Sequence, residues 1–202
     1  LVRSRGLGDV YKRQLVSSGD REALAGCLAG ETARLEAAGA GLALMASNTP
    51  HIVFDRVKSL TRIPMLSIVE ETARRAKRDG FARLGLFGTK FTMQGGFYQS
   101  VFAAQGMEVV TPPPGMQEFI HDHYMREFVN GIFKEKVKCA LVEEAQRMKR
   151  EDGIAALILG GTELPLVLGG ADIPGMGVLN TTAIHVEAAV EYALSHNGNP
   201  GD

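Results

Sequence analysis

The sequence predicts an α/β fold made of two similar halves, each built on a parallel sheet. The main observation is a pair of related stretches, GLALMASNTPH at 41–51 and AALILGGTELP at 155–165. Each begins as an apolar run without polar alternation, which is typical of a parallel strand covered on both faces. Each then reaches a threonine, Thr49 or Thr162, where a helix is expected to begin. From Ser17 onward strand and helix patterns alternate, which indicates parallel sheets with helices on both faces.

Local signals place the elements in the first part of the chain. Asp20 is a candidate cap for a helix that runs to about Ala38, where Gly39 follows and ends it. Pro64 is tolerable because it lies near the start of a short strand, and Gly80 ends the helix after that strand. The predicted strands are 42–46, 63–68 and 83–87, and the predicted helices are 20–38, 49–60 and 69–78.

The second part of the chain continues the alternation. Gly88 and Thr89 turn the third strand into a helix that carries Phe97 to Phe102. The run PPPG at 112–115 ends the strand that comes next. The remaining predicted strands are 107–110, 155–159 and 176–179, and the remaining predicted helices are 117–129, 133–150, a short one near Leu164 and 182–195.

The composition of the 202 residues is ordinary for a soluble globular protein, with 45% hydrophobic and 22% charged residues. The net charge of −1 gives no electrostatic reason to expect a nucleic acid or an anionic membrane as partner. The sequence contains no apolar run of the roughly 18 residues that a spanning helix needs. Cys27 and Cys139 lack metal-ligand or CxxC spacing, so we expect two buried or half-buried thiols in a protein of the cytoplasm.

We expect a non-native tail followed by two α/β halves. Residues 1–14, LVRSRGLGDVYKRQ, show no periodicity and look like translated cloning sequence, with a genuine flexible basic arm as the alternative. The switch between the halves is predicted near Asp79 and Gly80. We therefore assign 15–79 together with 181–202 to the first half, which we expect to be incomplete, and 80–180 to the second half.

Five motifs in order along the chain resemble the aspartate/glutamate racemase superfamily, the cofactor-independent amino-acid racemases. Position 46–51 reads ASNTPH where the family shows a Cys-Asn-Thr-x-His pattern, and GGTELPL at 160–166 stands where the family shows Gly-Cys-Thr-Glu. The other three motifs are LGLFGTKFTMQGGFY at 84–98, FVNGIFK at 128–134 and NTTAIHVEAAV at 180–190. The resemblance implies two Rossmann-like halves related by pseudo-twofold symmetry, a cleft between them, no cofactor and a homodimer.

In that family two thiols flank the α-carbon of the substrate, and one removes the α-proton while the other delivers a proton to the opposite face. Here the first thiol position is Ser47 and the second is Gly161. A serine hydroxyl is a far weaker acid than a thiol, and glycine has no group that can carry a proton. Members of the family also begin with a strand and a Gly-Gly-Met-type loop that we expect this chain to lack, which would leave a sheet edge open.

The resemblance assigns further roles, each with a structural alternative. Asn48, Thr49 and Thr162 would bind the substrate carboxylate, or they cap helices. Glu163 would accept the amino group or act as base, or it is an acid that favours a helix start. Ser47 is either a reactive hydroxyl or a small residue that permits close approach of the ligand.

Five other residues complete the candidate site. Gly88, Thr89 and Thr92 would hold a second carboxylate of the substrate, or they form a capped helix start. Lys134 would pair with a distal carboxylate, or it is an exposed helical lysine. His185 would replace the missing base, because its ordinary pKa of about 6.5 suits proton transfer, or it is a packed core histidine. We expect no metal site and no redox or pyridoxal cofactor.

Three functions remain open from the sequence. The first is an isomerase of the amino-acid racemase type that acts at the α-carbon of a small amino or dicarboxylic acid. The second is a one-sided lyase, isomerase or decarboxylase of the same superfamily. The third is a non-catalytic protein that binds a carboxylate ligand with the same turns.

Overall fold

The computed structural model describes residues 14–16 and 18–196, and the predicted α/β class with parallel sheets is confirmed. The strands are β1 (Ala43–Leu44), β2 (Met65–Leu66), β3 (Arg83–Gly88), β4 (Glu108–Val110), β5 (Ala156–Gly160) and β6 (Gly177–Asn180). The α-helices are α1 (Arg21–Ala37), α2 (Phe54–Ser59), α3 (Ile68–Arg78), α4 (Lys90–Gln94), α5 (Phe97–Ala103), α6 (Pro114–Arg126), α7 (Glu135–Arg147) and α8 (Thr181–His196). Most of residues 1–14, the predicted non-native tail, lie outside the described residues.

The larger sheet has the strand order β4-β3-β5-β6, and the smaller sheet pairs β1 with β2. All of these pairs are parallel. The register of β3 on β5 runs from Leu84 opposite Ala156 to Gly88 opposite Gly160. A Cβ at Gly88 would lie 2.9 Å from the carbonyl oxygen of Gly160, so glycine is needed where these strands end together. The residues that follow both strands therefore emerge at the same edge of the sheet.

Helix caps follow the sequence signals. The Asp20 carboxylate accepts a hydrogen bond from the Ala23 N–H at 3.0 Å and starts α1. Ser67 caps α3 in the same way through the Glu70 N–H. Such caps satisfy amide groups that have no partner within the helix.

Helical segments follow both strand ends, as predicted for 49–60 and near Leu164, but each begins as a 3₁₀ helix. The segment after β1 is a 3₁₀ helix, Thr49–Val53, that leads into α2, and the segment after β5 is a 3₁₀ helix, Leu164–Leu166. Each contains a proline in its first turn, Pro50 or Pro165, which removes a backbone N–H donor. These short turns therefore offer fewer amide donors and a weaker dipole than the α-helices that the sequence suggested.

Two other predicted helices also differ from regular α-helices in the structure. Gly95 and Gly96 divide the helix after β3 into α4 and α5, and Gly96 has a φ of +78°, which favours glycine. A π-helical turn at Met148–Asp152 extends α7. Two further 3₁₀ turns lie at Phe128–Asn130 and Gly170–Asp172.

The buried side chains form two separate clusters. The larger one surrounds the four-stranded sheet and includes Leu86, Phe102 and Leu157. The smaller one joins α1, β1, α2 and β2, and Leu24 and Phe54 belong to it. α8 returns to pack against α3. The division into two halves at Asp79 and Gly80 stays a prediction.

The two cysteines differ in exposure. Cys27 is half-buried, as expected, but Cys139 is exposed, so the prediction for that thiol was wrong. Val137 and Leu141 point into the core from α7, and residue 139 lies between them on the outer side of the helix. Among residues 14–16 and 18–196, no helix combines the length and the apolar character that crossing a membrane requires.

Candidate active site

The site is built from two turns, each of which follows a strand. We call Ser47–Thr49, after β1, the first corner and Gly161–Glu163, after β5, the second corner. Each corner follows a strand of a different parallel sheet, and ligands of open α/β sheets bind at the edge where the carboxyl ends of the strands lie.

His51 supports the first corner through hydrogen bonds at both of its ring nitrogens. Its Nδ1 lies 2.8 Å from the Ser47 carbonyl oxygen, and its Nε2 lies 3.2 Å from the Ile68 amide nitrogen. Because a carbonyl can only accept and an amide N–H can only donate, Nδ1 carries the proton and the ring is neutral. Burial is the main cause that lowers the pKa of His51 to about 4. The histidine therefore supports the turn as a neutral group.

The side chain of Asn48, the middle residue of the first corner, is buried and joins this corner to the larger sheet. Its amide nitrogen donates to the Thr181 hydroxyl at 3.3 Å, and its oxygen accepts a hydrogen bond from the Tyr98 hydroxyl. The Thr181 hydroxyl in turn donates to the Leu159 carbonyl at 2.8 Å. The side chain of Asn48 makes no capping bond to the 3₁₀ helix that follows it. The structure thus shows a bridging residue in place of the helix cap that was the alternative interpretation.

Three threonine hydroxyls form a closed triangle beside the first corner. The Oγ1 of Thr49 lies 2.9 Å from that of Thr89 and 3.1 Å from that of Thr92, and the last two are 3.1 Å apart. Thr89 also caps α4 by accepting the Thr92 N–H. Each hydroxyl has one proton, so a hydroxyl that turns toward an anion gives up a hydrogen bond within the triangle while its oxygen stays in place.

The second corner carries a carboxylate held by two hydroxyls. Both Tyr124 and Thr162 donate a hydrogen bond to Oε2 of Glu163, and the Thr162 bond measures 2.5 Å. Burial is the main cause that raises the pKa of the Tyr124 phenol, and the Glu163 carboxylate raises it further. Tyr124 therefore stays protonated and acts as a hydrogen-bond donor.

Tyr124 also occupies the space that a side chain at position 161 would need. A Cβ built on Gly161 would lie 2.5 Å from Cε2 of Tyr124 and 2.8 Å from its hydroxyl oxygen. The backbone of Gly161 does not have a positive φ, so chain conformation alone does not require glycine there. Glycine is required because the tyrosine ring lies against the backbone.

A cavity of about 270 Å³ lies between the two corners. It is lined by five of the predicted site residues, namely Ser47, Thr49, Thr89, Thr162 and Glu163. Asn48 and Thr92 do not line it; Thr92 is hydrogen-bonded to Thr49, which does, and Asn48 is bonded to Thr181 and Tyr98 outside the lining. The two corners therefore converge on one space.

Two predicted residues lie elsewhere. The ammonium of Lys134 is 2.6 Å from the Glu127 carboxylate, and Lys134 does not line the cavity. His185 is buried, and its Nε2 donates to the Leu66 carbonyl at 3.0 Å. Burial lowers the pKa of His185, and this residue does not line the cavity either. Lys134 thus forms an ion pair just before α7 begins, where its backbone is extended and not helical, and His185 is packed in the core.

Sequence reasoning missed Tyr124, which contacts both the cavity and Gly161. The available signal was weak. Ile120 and Tyr124 share the buried face of α6, and a buried phenol needs a hydrogen-bond partner. The sequence did not show that this partner is Glu163, 39 residues further along the chain.

The comparisons with known proteins agree with this architecture. The family model described as Asp/Glu/Hydantoin racemase matches residues 13–189. The chain is 32% identical to a candidate Asp/Glu racemase from Yersinia pestis, with a TM-score of 0.83 over 91% of this chain and 80% of that one. An aspartate racemase homologue from Pyrococcus horikoshii OT3 is 33% identical, with a TM-score of 0.75 over 88% of this chain and 75% of that one.

A shorter match extends to a named enzyme. The broad specificity amino-acid racemase RacX of Bacillus subtilis (strain 168) is 31% identical over 77 residues, which is 38% of this chain and 34% of RacX. The family model covers most of the chain, and the similar structures share its fold. The chain therefore belongs to the Asp/Glu/Hydantoin racemase family.

Proposed function

We propose that this chain binds a small amino or dicarboxylic acid in the cavity and transfers the proton on the α-carbon of that ligand without an organic cofactor. The observation that carries the proposal is the meeting of the first and second corners at one cavity. Membership of a racemase family supports a reaction at the α-carbon, and the name of RacX supports an amino acid as ligand.

Hydroxyl groups supply most of the donors that a carboxylate would meet. Pro50 and Pro165 reduce the number of amide donors at both corners, whereas Thr49 and Thr89 present hydroxyls to the cavity. Loss of the α-proton moves negative charge onto the carboxylate oxygens, so donors placed beside those oxygens stabilise the transition state. The threonine triangle serves this purpose because its oxygens are already fixed.

Glu163 is the group best suited to take the proton. The hydroxyls of Tyr124 and Thr162 hold its carboxylate at the cavity wall, next to the position where the family places its second thiol. The Cα–H bond breaks, its electron pair passes into the carboxylate of the ligand, and the proton moves to Glu163. The first corner offers Ser47, which is a poor base without a partner. This arrangement supports proton transfer on one face.

Isotope exchange tests the proposal. The protein is incubated in D₂O with single amino acids, and loss of the α-proton signal is followed by NMR together with chiral chromatography of the product. We expect exchange that the Glu163→Gln substitution reduces at least 100-fold, as is usual for loss of a general base. Glu143→Gln, on the exposed side of α7, is the matched control and should leave the rate unchanged. Equal rates in the wild-type protein and in Glu163→Gln would rule out the carboxylate as the base.

The residues that stand at the family's two thiol positions, Ser47 and Gly161, favour a second function. Ser47 carries no thiol, and the Tyr124 ring fills the side-chain space of Gly161. A protein that kept its carboxylate-binding turns and lost proton transfer would bind ligand without exchange. Calorimetry shows the difference, because saturable heat without deuterium uptake identifies a binding protein.

A further inference from the structure

Ser47 presents a hydroxyl to the cavity between the two corners. The residue is exposed and lines this cavity, and its side chain forms no hydrogen bond with another residue of 14–16 and 18–196. A serine without a neighbouring base is a poor proton carrier, but its hydroxyl remains an ordinary hydrogen-bond donor. The hydroxyl of Ser47 is therefore available to an oxygen atom of a ligand.

The backbone carbonyl of Ser47 is held from the opposite side. The Nδ1–H of His51 donates to this carbonyl at 2.8 Å. The imidazole lines a different cavity, to which Ser47 does not contribute. The backbone of Ser47 thus lies between the two spaces, with its carbonyl directed at the histidine and its side chain at the ligand cavity.

Three contacts fix the imidazole of His51 in this orientation. The N–H of Ile68, the first residue of α3, donates to Nε2 at 3.2 Å and so keeps the proton on Nδ1. The ring of Phe54 stacks on the imidazole with centroids 5.0 Å apart and planes inclined by 7°. The ring of His185 meets it edge-on at 6.4 Å. Rotation of the imidazole would break the hydrogen bonds at both of its nitrogens.

We infer that His51 is a positioning residue of the cavity, which holds Ser47 so that the serine hydroxyl donates a hydrogen bond to the carboxylate of the ligand. This inference rests on the proposed function and adds a donor to the first corner. Thr49 belongs to the same corner and lines the same cavity, so both hydroxyls serve one carboxylate. Ser47 then stabilises the negative charge that develops on the carboxylate and carries no proton itself.

Two substitutions separate the two hydrogen bonds of His51. His51→Asn places an amide nitrogen near the position of Nδ1 and keeps a donor for the Ser47 carbonyl. His51→Gln reaches the position of Nε2 and keeps an acceptor for the Ile68 N–H. Calorimetry with both enantiomers of alanine, aspartate and glutamate should show binding at least fivefold weaker in His51→Gln and less than twofold weaker in His51→Asn. Equal losses in the two variants would overturn the positioning role.

A matched control separates positioning from lost stability. The hydroxyl of Thr72, buried on α3, donates to the Ile68 carbonyl at 2.6 Å and has no contact with the first corner. Thr72→Val should lower the melting temperature and leave the affinity unchanged. Affinity that falls with melting temperature alike in Thr72→Val and in His51→Gln would identify a purely structural role for the histidine and overturn the inference.

A double-mutant cycle tests the path through the hydroxyl. Ser47→Ala should weaken binding at least tenfold, as is usual for a hydrogen bond to a charged group. In that background His51→Gln should weaken binding less than twofold further, because the hydroxyl that it positions is gone. Losses that multiply in the double variant would overturn the inference and leave the proposed function standing. No binding and no α-proton exchange with any of the six compounds in the wild-type protein would overturn both.

Discussion

The contact between Gly161 and Tyr124 makes a quantitative prediction about stability. A Cβ at position 161 would lie 2.5 Å from Cε2 of Tyr124, and ordinary contacts of this kind begin at 3.4 Å. In Gly161→Ala the ring must therefore move by about 0.9 Å, the difference between these two distances. The phenol is bonded to Glu163, and the ring packs edge to face on Phe128 with centroids 6.1 Å apart, so the movement disturbs both contacts.

Overpacking of this kind costs about 1–3 kcal/mol in the free energy of unfolding. We expect the lower part of the range, about 1–2 kcal/mol, because the atoms that clash are the outer edge of a side chain. For a protein of this size the melting temperature should fall by about 2–8 °C. Urea denaturation followed by circular dichroism measures the difference.

A matched control is available on α1. A Cβ at Gly26 meets no atom within 4 Å, so Gly26→Ala should stabilise the protein by up to about 1 kcal/mol through helix propensity. The tyrosine itself provides the second control. Tyr124→Phe keeps the Cε2 atom and should preserve the cost of Gly161→Ala, whereas Tyr124→Ala removes the ring and should abolish that cost. If Gly161→Ala were as stable as Gly26→Ala while Tyr124 was present, the steric explanation for this glycine would be refuted.

Three further predictions concern the supports of the first corner. Asn48→Ala removes a buried amide and takes one hydrogen-bond partner from each of the Tyr98 and Thr181 hydroxyls, so it should lower the free energy of unfolding by about 2–3 kcal/mol in urea titrations. An unchanged midpoint would contradict the bridging role. His51 has its ordinary pKa of about 6.5 in the unfolded chain, whereas its pKa in the folded protein is about 4. Between these values the unfolded chain binds a proton that the folded protein does not bind. The free energy of unfolding should therefore fall as the pH drops below 6.5, by about 2 kcal/mol at pH 5. His51→Gln should flatten this dependence, and an equally steep curve would show that another group causes it. Ser67→Ala should cost about 1 kcal/mol through loss of the α3 cap, while Ser67→Asp should retain most of the stability in thermal melts.

Much of the fold could be predicted because its signals are local. Asp20 supplied a capping oxygen before an apolar pattern, and the uninterrupted apolar run at 155–159 is typical of a strand covered on both faces. The two corners could be predicted for the same reason, since each follows such a run. The convergence of the corners was expected from two similar halves with a cleft between them and not from a shared sheet edge, because β1 and β5 belong to different sheets.

The remaining features depend on contacts between distant residues. Pro50 and Pro165 lie in the first turns of 3₁₀ helices, and the sequence pattern alone does not separate such a turn from an α-helix with proline in its first turn. The partner of Tyr124 lies 39 residues away, and no local pattern marks it. His185 and Lys134 have residue types suited to the site, but tertiary packing directs one to a backbone carbonyl and the other to Glu127.

The bridge through Asn48 has a consequence for how a ligand can enter. One continuous buried chain of hydrogen bonds joins Tyr98, Asn48, Thr181 and the Leu159 carbonyl. It connects the first corner with β5, the strand that leads into the second corner. Moving the two corners apart would leave these buried groups without hydrogen-bond partners, at a free-energy cost of roughly 1–3 kcal/mol for each group. Separation of the two corners would therefore carry this cost, and we expect rotation of the Met125 side chain, which lines the cavity and is 36% exposed, to admit a ligand.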